Sequence, residues 1–330
     1  MLVLPIPMIV ALVLGMFFVR SWIVDKRPWL FSSLLAICAL QSVIVSLRQY
    51  YGIAQLSWIQ PVTATLIPPL AWIAFRSAAV SAIIRRRDLV HLAAPAFTAF
   101  CVLFAPMTVD VVVCAIFLGY GAAILWHLRR GSDALAFTRL EAGDQPALIW
   151  KAIACALILS AFADALIALA LAGGEAWLRP WFISLFSSAS LAAVGILSLA
   201  RDGMGEAPEE IEPKASVARP PDPDLMPRLE QMIRCERLFL DPDLTLARLA
   251  KRLRVPAKQL SAAVNQTTGD NVSRYINGFR IHHACERLVA GDSVTAAMLA
   301  SGFNTKSNFN REFSRVTGTT PSNWTAQASD

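Results

Sequence analysis

The sequence predicts an all-α chain in two parts: an N-terminal bundle of seven apolar, membrane-spanning helices, then a polar domain of short helices. Three observations lead there. The chain is 55% hydrophobic and only 16% charged, with a mean hydropathy of +0.50, whereas soluble domains carry about 25% charged residues. Up to about residue 200, apolar runs recur near the ~20-residue length that crosses a bilayer. Beyond residue 224 the apolar residues sit at helical spacing on short, charged segments.

The apolar runs cover residues 2–19, 29–47, 58–75, 89–106, 109–128, 148–171 and 181–199. The first lacks a basic leader and a small-residue cleavage site, so it reads as a retained anchor. The third contains Pro61, Pro68 and Pro69 and is the least helix-like. Its Pro68-Pro69 pair would free backbone carbonyls that must be satisfied inside the bundle.

Loop charges set the orientation. One set of connections holds Arg20, Lys26 and Arg27, then Arg85, Arg86 and Arg87, then Arg129, Arg130, Arg139 and Lys151, and finally Arg201. The alternate set holds only Arg48 and Arg179. Positive residues stay on the cytoplasmic side, so the N-terminus is expected outside and the C-terminus inside a bacterial inner membrane. Trp22, Trp29, Trp126 and Trp150 fall near the expected inner interface, and Trp58, Trp177 and Trp181 near the outer one.

Asp164 lies within the sixth run, where an ionised carboxylate is costly. Two readings stand with equal weight: an acid paired with a neighbouring helix, or part of a ligand cavity open to the outside, which makes Asp164 the candidate sensing residue. The six cysteines show no paired or ligand-like spacing, so they read as reduced and structural.

Residues 202–224 are a linker: Glu206, Glu209, Glu210 and Glu212 cluster, and Pro208, Pro213, Pro220, Pro221 and Pro223 interrupt any helix. It reads as a passive tether; the alternative is that its acids compete with phosphates for the basic domain. The division is therefore 1–201 membrane part, 202–224 linker and 225–330 C-terminal domain.

In that last domain, helical periodicity runs over 225–240 through Leu229, Met232, Ile233 and Leu238. Residues 245–253 predict a helix, Arg254-Val255-Pro256 a turn, and 257–267 a second helix exposing Lys258, Ser261 and Ala262. A long helix over 272–288 has one apolar face, and 294–301 begins a second pair. Gly302 suits a tight turn, Asn304 an N-cap, and Phe309 and Phe313 share one face of a helix from Thr305. Its opposite face carries Lys306, Ser307, Asn310 and Arg311, all able to bond base edges or phosphates. From Leu244 onward eleven basic residues face five acids, a balance suited to a polyanion.

Gly302-Phe303, then Ser307-x-Phe309-x-Arg311-x-Phe313, then Thr317-Gly318-x-x-Pro321, resembles the DNA-binding domain of AraC/XylS-type regulators. The resemblance covers roughly the last quarter of the chain and implies two helix-turn-helix units joined by a long helix. It also implies that Lys258, Ser261, Lys306, Ser307, Asn310 and Arg311 contact double-stranded DNA. Two positions depart from the pattern: Ala262 where a basic side chain is common, and Met298 where a small alanine is usual.

No glycine-rich phosphate loop, nucleophile elbow, kinase signature or metal-binding cluster is present in the sequence, so neither an enzyme nor a cofactor is expected. The four histidines, His91, His127, His282 and His283, read as satisfied or solvated. The expectation is a one-component transcription regulator that senses a small-molecule or membrane signal in the bilayer and binds promoter DNA. Such regulators commonly occupy paired sites, which adds dimerisation in the membrane as an expectation. The alternative is a transporter or enzyme with an autoregulatory DNA-binding tail.

Overall fold

A computed structural model describes residues 4–23, 29–79, 86–129, 133, 135–172, 188–189, 191, 193 and 224–329. Among them all regular structure is helical, apart from one antiparallel bridge between Arg139 and Thr245. Two compact units form. One gathers Met1–Arg76, Ile83–Arg129 and Ile149–Ala200, and the other Ser77–Ala82, Arg130–Leu148 and Arg201–Asp330. The described residues 133 and 135–148, which the sequence divides off with the membrane part, thus group with the C-terminal helices.

The first unit contains α1 (Ile6–Ile23), α2 (Trp29–Gln49), α3 (Gln60–Ala64), most of α4 (Ile67–Ala79), α5 (Ala93–Phe104), α6 (Val109–Leu128) and most of α7 (Gln145–Ala172). Leu14 of α1 and Leu34, Leu35 and Cys38 of α2 are fully buried, and Ser21 and Ser32 share a 2.8 Å hydrogen bond. Outward faces are apolar instead: Leu12, Met16, Phe97, Phe100, Phe104 and Val111 are exposed. Apolar surface on that scale marks contact with lipid or with a partner.

Four helical stretches, Ile6–Ile23, Trp29–Gln49, Pro106–Leu128 and Gln145–Ile167, are long and apolar enough to cross a membrane by length and composition. The expected third run is two helices. Thr65 ends α3, its hydroxyl donating to the carbonyls of Pro61 (3.1 Å) and Val62 (3.0 Å). Pro68 and Pro69 then occupy the first turn of α4. A missing N–H has no intrahelical partner to lose there, so the prolines start a helix where the sequence suggested an interrupted one. The fourth run is a short apolar helix, Asp88–Phe104, and the seventh lies almost wholly outside the described residues.

Trp150, expected at the interface, is instead fully buried, with ring centroids 5.9 Å from Phe31 and 5.4 Å from Phe75. Trp22, Trp29, Trp58 and Trp126 are exposed, and Trp177 and Trp181 lie outside the described residues. Polar groups within the unit pair with each other. The Thr63 hydroxyl donates to the Gln41 side chain (2.6 Å), Arg48 donates to the Gln60 side chain (2.6 Å), and Arg76 pairs with Asp88 (2.5 Å). An apolar cavity of about 370 Å³ is lined by Ser33, Ile37, Leu40, Leu66, Pro69 and His91, among others. Asp164 is half-buried on α7 and does not line it.

The second unit adds α8 (Leu225–Glu236), α9 (Leu246–Leu253), α10 (Ala257–Thr268), α11 (Val272–Val289), α12 (Val294–Ala300), α13 (Lys306–Thr317) and α14 (Pro321–Ser329). It has two cores. Leu229, Ile233, Leu249, Leu260, Val264 and Ile276 form one, and Ile281, Ala284, Phe303, Phe309 and Phe313 the other. Helix α11 feeds the first with its N-terminal half and the second with its C-terminal half, as expected of a connecting helix. Leu140, from the segment between α6 and α7, is buried in the first core.

Close packing of α6 on α7 depends on one glycine. A Cβ at Gly121 would lie 2.7 Å from the Ile158 side chain and 3.1 Å from the Ala154 carbonyl, while one at Gly119 would meet nothing within 4 Å. Overpacking of this kind costs about 1–3 kcal/mol. Gly121→Leu is therefore expected to lower the melting temperature of the detergent-solubilised protein well below that of Gly119→Leu. Equal melting of the two variants would refute this packing.

Candidate nucleic-acid interface

The first helical pair is built by capping and by one sharp turn. The Thr245 hydroxyl accepts from the Arg248 amide (3.2 Å) and starts α9, whose Leu246, Leu249, Ala250 and Leu253 are buried. Arg254 closes α9 in the left-handed region at φ 58°, a conformation uncommon for a residue with a Cβ. Pro256 then leads into α10, which buries Leu260 and Val264. Lys258 and Ala262 stand exposed on α10, and Ser261 between them is half-buried. Spacings of three and four put these three on one helical face.

The second pair repeats the plan. Ser293 caps α12, accepting from the Ala296 amide (3.2 Å). Gly302 turns the chain at φ +79°, and a Cβ there would sit 2.8 Å from the carbonyls of both Phe239 and Leu240. Glycine is needed twice over, for backbone hand and for space. The cap of α13 is Thr305, accepting from the Asn308 amide (3.4 Å), one residue later than expected. The Asn304 amide is spent elsewhere, on the carboxylate of Glu141 at 2.6 Å. Phe309 and Phe313 are fully buried, their centroids 5.4 Å apart, while Lys306 and Ser307 are exposed and Asn310 and Arg311 partly so. Met298, at its unusual position, is 7% exposed and packs in the second core.

The six expected contact residues fall into two sets, Lys258 and Ser261 on α10 and Lys306, Ser307, Asn310 and Arg311 on α13. Much of the basic charge around them is already paired. Arg248 pairs with Asp241 (2.9 Å), Arg252 with Glu236 (2.5 Å), Arg274 with Asp144 (2.9 Å), Arg287 with Asp292 (2.5 Å) and Arg315 with Glu312 (2.9 Å). Arg280, which the charge count offered to a polyanion, is fully buried. Its guanidinium donates to the carbonyls of Phe239 (2.6 Å) and Asp241 (2.7 Å) and to the Asn277 side chain (3.1 Å), and lies 5.6 Å from the Phe303 ring centre. Burial pulls its pKa down to about 10, against the pull of Glu141 and Asp241, so it remains charged at neutral pH.

His282 is exposed and bonded to the Gly278 carbonyl (2.6 Å), and His283 meets the Ser301 hydroxyl (3.1 Å). Neither belongs to a metal-binding group, none being present among the described residues. Three acids reach this unit from the α6–α7 segment, Asp133, Glu141 and Asp144, and no local pattern in the sequence marks them.

A family model described as a helix-turn-helix domain matches residues 249–327, from within α9 into α14, and supports an AraC-type DNA-binding domain there. No curated protein matches the chain. A solved structure of a protein of unknown function from Listeria innocua is 23% identical, over 32% of this chain and 98% of its own, with a TM-score of 0.29. That likeness carries no argument.

Arg280→Met keeps much of the buried volume but leaves the Phe239 and Asp241 carbonyls without a donor, at about 1–3 kcal/mol for each orphaned group. Backbone amides of α11 and α13 are expected to exchange with deuterium faster in this variant than in the wild type. Unchanged exchange would show that the buried cation does not hold the unit together.

Proposed function

We propose that the chain is a one-component transcription regulator embedded in the inner membrane, its C-terminal unit binding promoter DNA through α10 and α13. One observation carries this reading: each helical pair buries the apolar side of its second helix and leaves a polar face outward. On α13 that face offers Lys306, Ser307, Asn310 and Arg311, a set able to meet guanine and adenine edges in a major groove. The helix-turn-helix match supports sequence-specific DNA binding and transcription regulation, and it favours a regulator over an enzyme.

Membrane embedding rests on the four apolar stretches of spanning length. The orientation, N-terminus outside and C-terminus in the cytoplasm, rests on the basic loops. The grouping of residues 133 and 135–148 with the C-terminal helices supports it further, because that loop and the DNA-binding unit then share one side. Sensing belongs to the membrane part in this reading. Asp164 is its proposed polar element, and the apolar cavity beside α2 and α4 gives an apolar signal a place to lodge. Asp164→Asn should change promoter response to the native signal without changing protein abundance.

The topology is tested with a reporter enzyme active only outside the cytoplasm. Fused after Gly174 it should be active, and fused after Gly131 silent; the reverse pattern would overturn the orientation and with it access to DNA.

DNA reading is tested on the full chain in lipid nanodiscs by selection from a random-sequence duplex pool, followed by mobility-shift titration at two salt concentrations. Lys306→Ala combined with Arg311→Ala should weaken the selected duplex. Loss of a bidentate arginine–guanine contact costs about 1–3 kcal/mol in discrimination, whereas loss of a phosphate contact weakens all sequences alike and lowers the salt slope by about one. Intact specific binding by this folded variant would remove α13 as the reader.

A further inference from the structure

The segment between α6 and α7 completes the DNA-binding unit. Three helix starts leave amide donors without intrahelical partners, and this segment answers several of them. The Ala136 carbonyl accepts from the Ala247 amide at the start of α9 (3.0 Å), and Asp133 accepts from the Val272 amide at the start of α11 (3.4 Å). Glu141 takes the Asn304 amide just before α13. Leu140 inserts into the first core, its amide donating to the Leu244 carbonyl (2.9 Å) and its own carbonyl accepting from the side chains of Ser273 and Asn277. Arg139 pairs with Asp243 at 2.8 Å.

Two ends of the same segment reach residues proposed above to read DNA. The Ser261 hydroxyl on α10 donates to the Asp133 carboxylate (2.6 Å). On α13, the Arg311 guanidinium donates to the Ala142 carbonyl (2.8 Å). Beside it, Asp144 accepts two bonds from Arg274 (3.1 and 2.9 Å) and one from the Asn271 side chain (2.8 Å). An arginine fork and a side-chain amide at a helix N-terminus, here holding a carboxylate, are donors of the kind that also bind a phosphate. Gly143 permits this approach: it stands at φ +62°, and a Cβ there would lie 3.0 Å from Glu312 and 3.2 Å from Arg311.

We propose that residues 133–144 form an internal acidic clasp, pivoted on Leu140, that competes with DNA for both recognition helices until a change in the membrane helices releases it. This rests on the DNA-binding reading of the preceding subsection. A mere strut would need only the buried part of the segment, with Asp133 on the Val272 amide and Leu140 and Glu141 with their bonds. The Asp144 end behaves differently. The side chains of Asp144 and Arg274 are 36% and 43% exposed, and a pair so exposed adds little stability while remaining open to exchange for phosphate. Burial pushes the carboxyls of Asp133 and Glu141 above the usual range, so their docked ionised forms are held against a desolvation cost. The segment runs directly from the end of α6 to the start of α7, so a displacement of either helix reaches it through the chain itself.

The test compares full-length wild type with Asp133→Asn/Asp144→Asn in nanodiscs, using the duplex that either form retains from a random-sequence pool. The variant keeps Leu140 and Glu141, and circular dichroism checks its folding; if it unfolds, Asp144→Asn alone takes its place. The clasp predicts about tenfold tighter binding by the variant, and a steeper salt dependence as arginines are freed for phosphates. Duplex recovered by the variant alone supports the clasp still more directly. Equal or weaker binding by the variant overturns the clasp and leaves the DNA-binding reading standing. Duplex recovered by neither form overturns the DNA-binding reading and the clasp with it.

Discussion

A guanidinium with no access to water sets the geometry of the C-terminal unit. Moving such a charge out of water is expensive, and the loss is made good only if each of its nitrogens finds an acceptor. Arg280 meets that demand with groups from separate parts of the chain: the carbonyls of Phe239 and Asp241 ahead of α9, Asn277 on its own helix, and the ring of Phe303 leading into α13. Gly302 lets the second pair come within reach of the Phe239 carbonyl, which Arg280 also uses, and of the neighbouring Leu240 carbonyl. With those partners fixed, the connecting helix α11 holds its two cores at one spacing, and the polar faces of α10 and α13 are fixed with them.

The segment between α6 and α7 uses the same economy. It contributes an apolar plug, caps for helix starts and acidic partners for basic side chains, and so turns a stretch between two apolar helices into part of the DNA-binding unit. Charge that sequence counting assigns to nucleic acid is partly engaged by it and by neighbouring acids, with Arg274 on Asp144 as the clearest instance.

Legibility in the sequence followed the range of the forces involved. Helices α9 to α13 were readable to within a residue or so, because apolar spacing such as Phe309–Phe313 and the turns at Pro256 and Gly302 are local signals, although α13 is capped by Thr305 and not by Asn304. The turn at Arg254 was expected, but its left-handed backbone was not, since nothing in arginine announces it. Arg280 counts as surface charge until its distant acceptors are known. Trp150 reads as an interface anchor until Phe31 and Phe75 close over it. Pro68 and Pro69 signalled trouble for a single span but not on which side of the break they would fall. The contacts of Asp133, Glu141 and Asp144 join residues more than a hundred positions apart, as Ser261 with Asp133 does, and no periodicity records them.

Hydrogen exchange on the full-length protein in a bilayer, with and without its selected duplex, tests the account most directly. Bound DNA should slow exchange in the first turns of α10 and α13 and quicken it at residues 142–144, while Leu140 and α11 stay protected. Protection confined to other surfaces, or tighter protection of residues 142–144 in the complex, would contradict it.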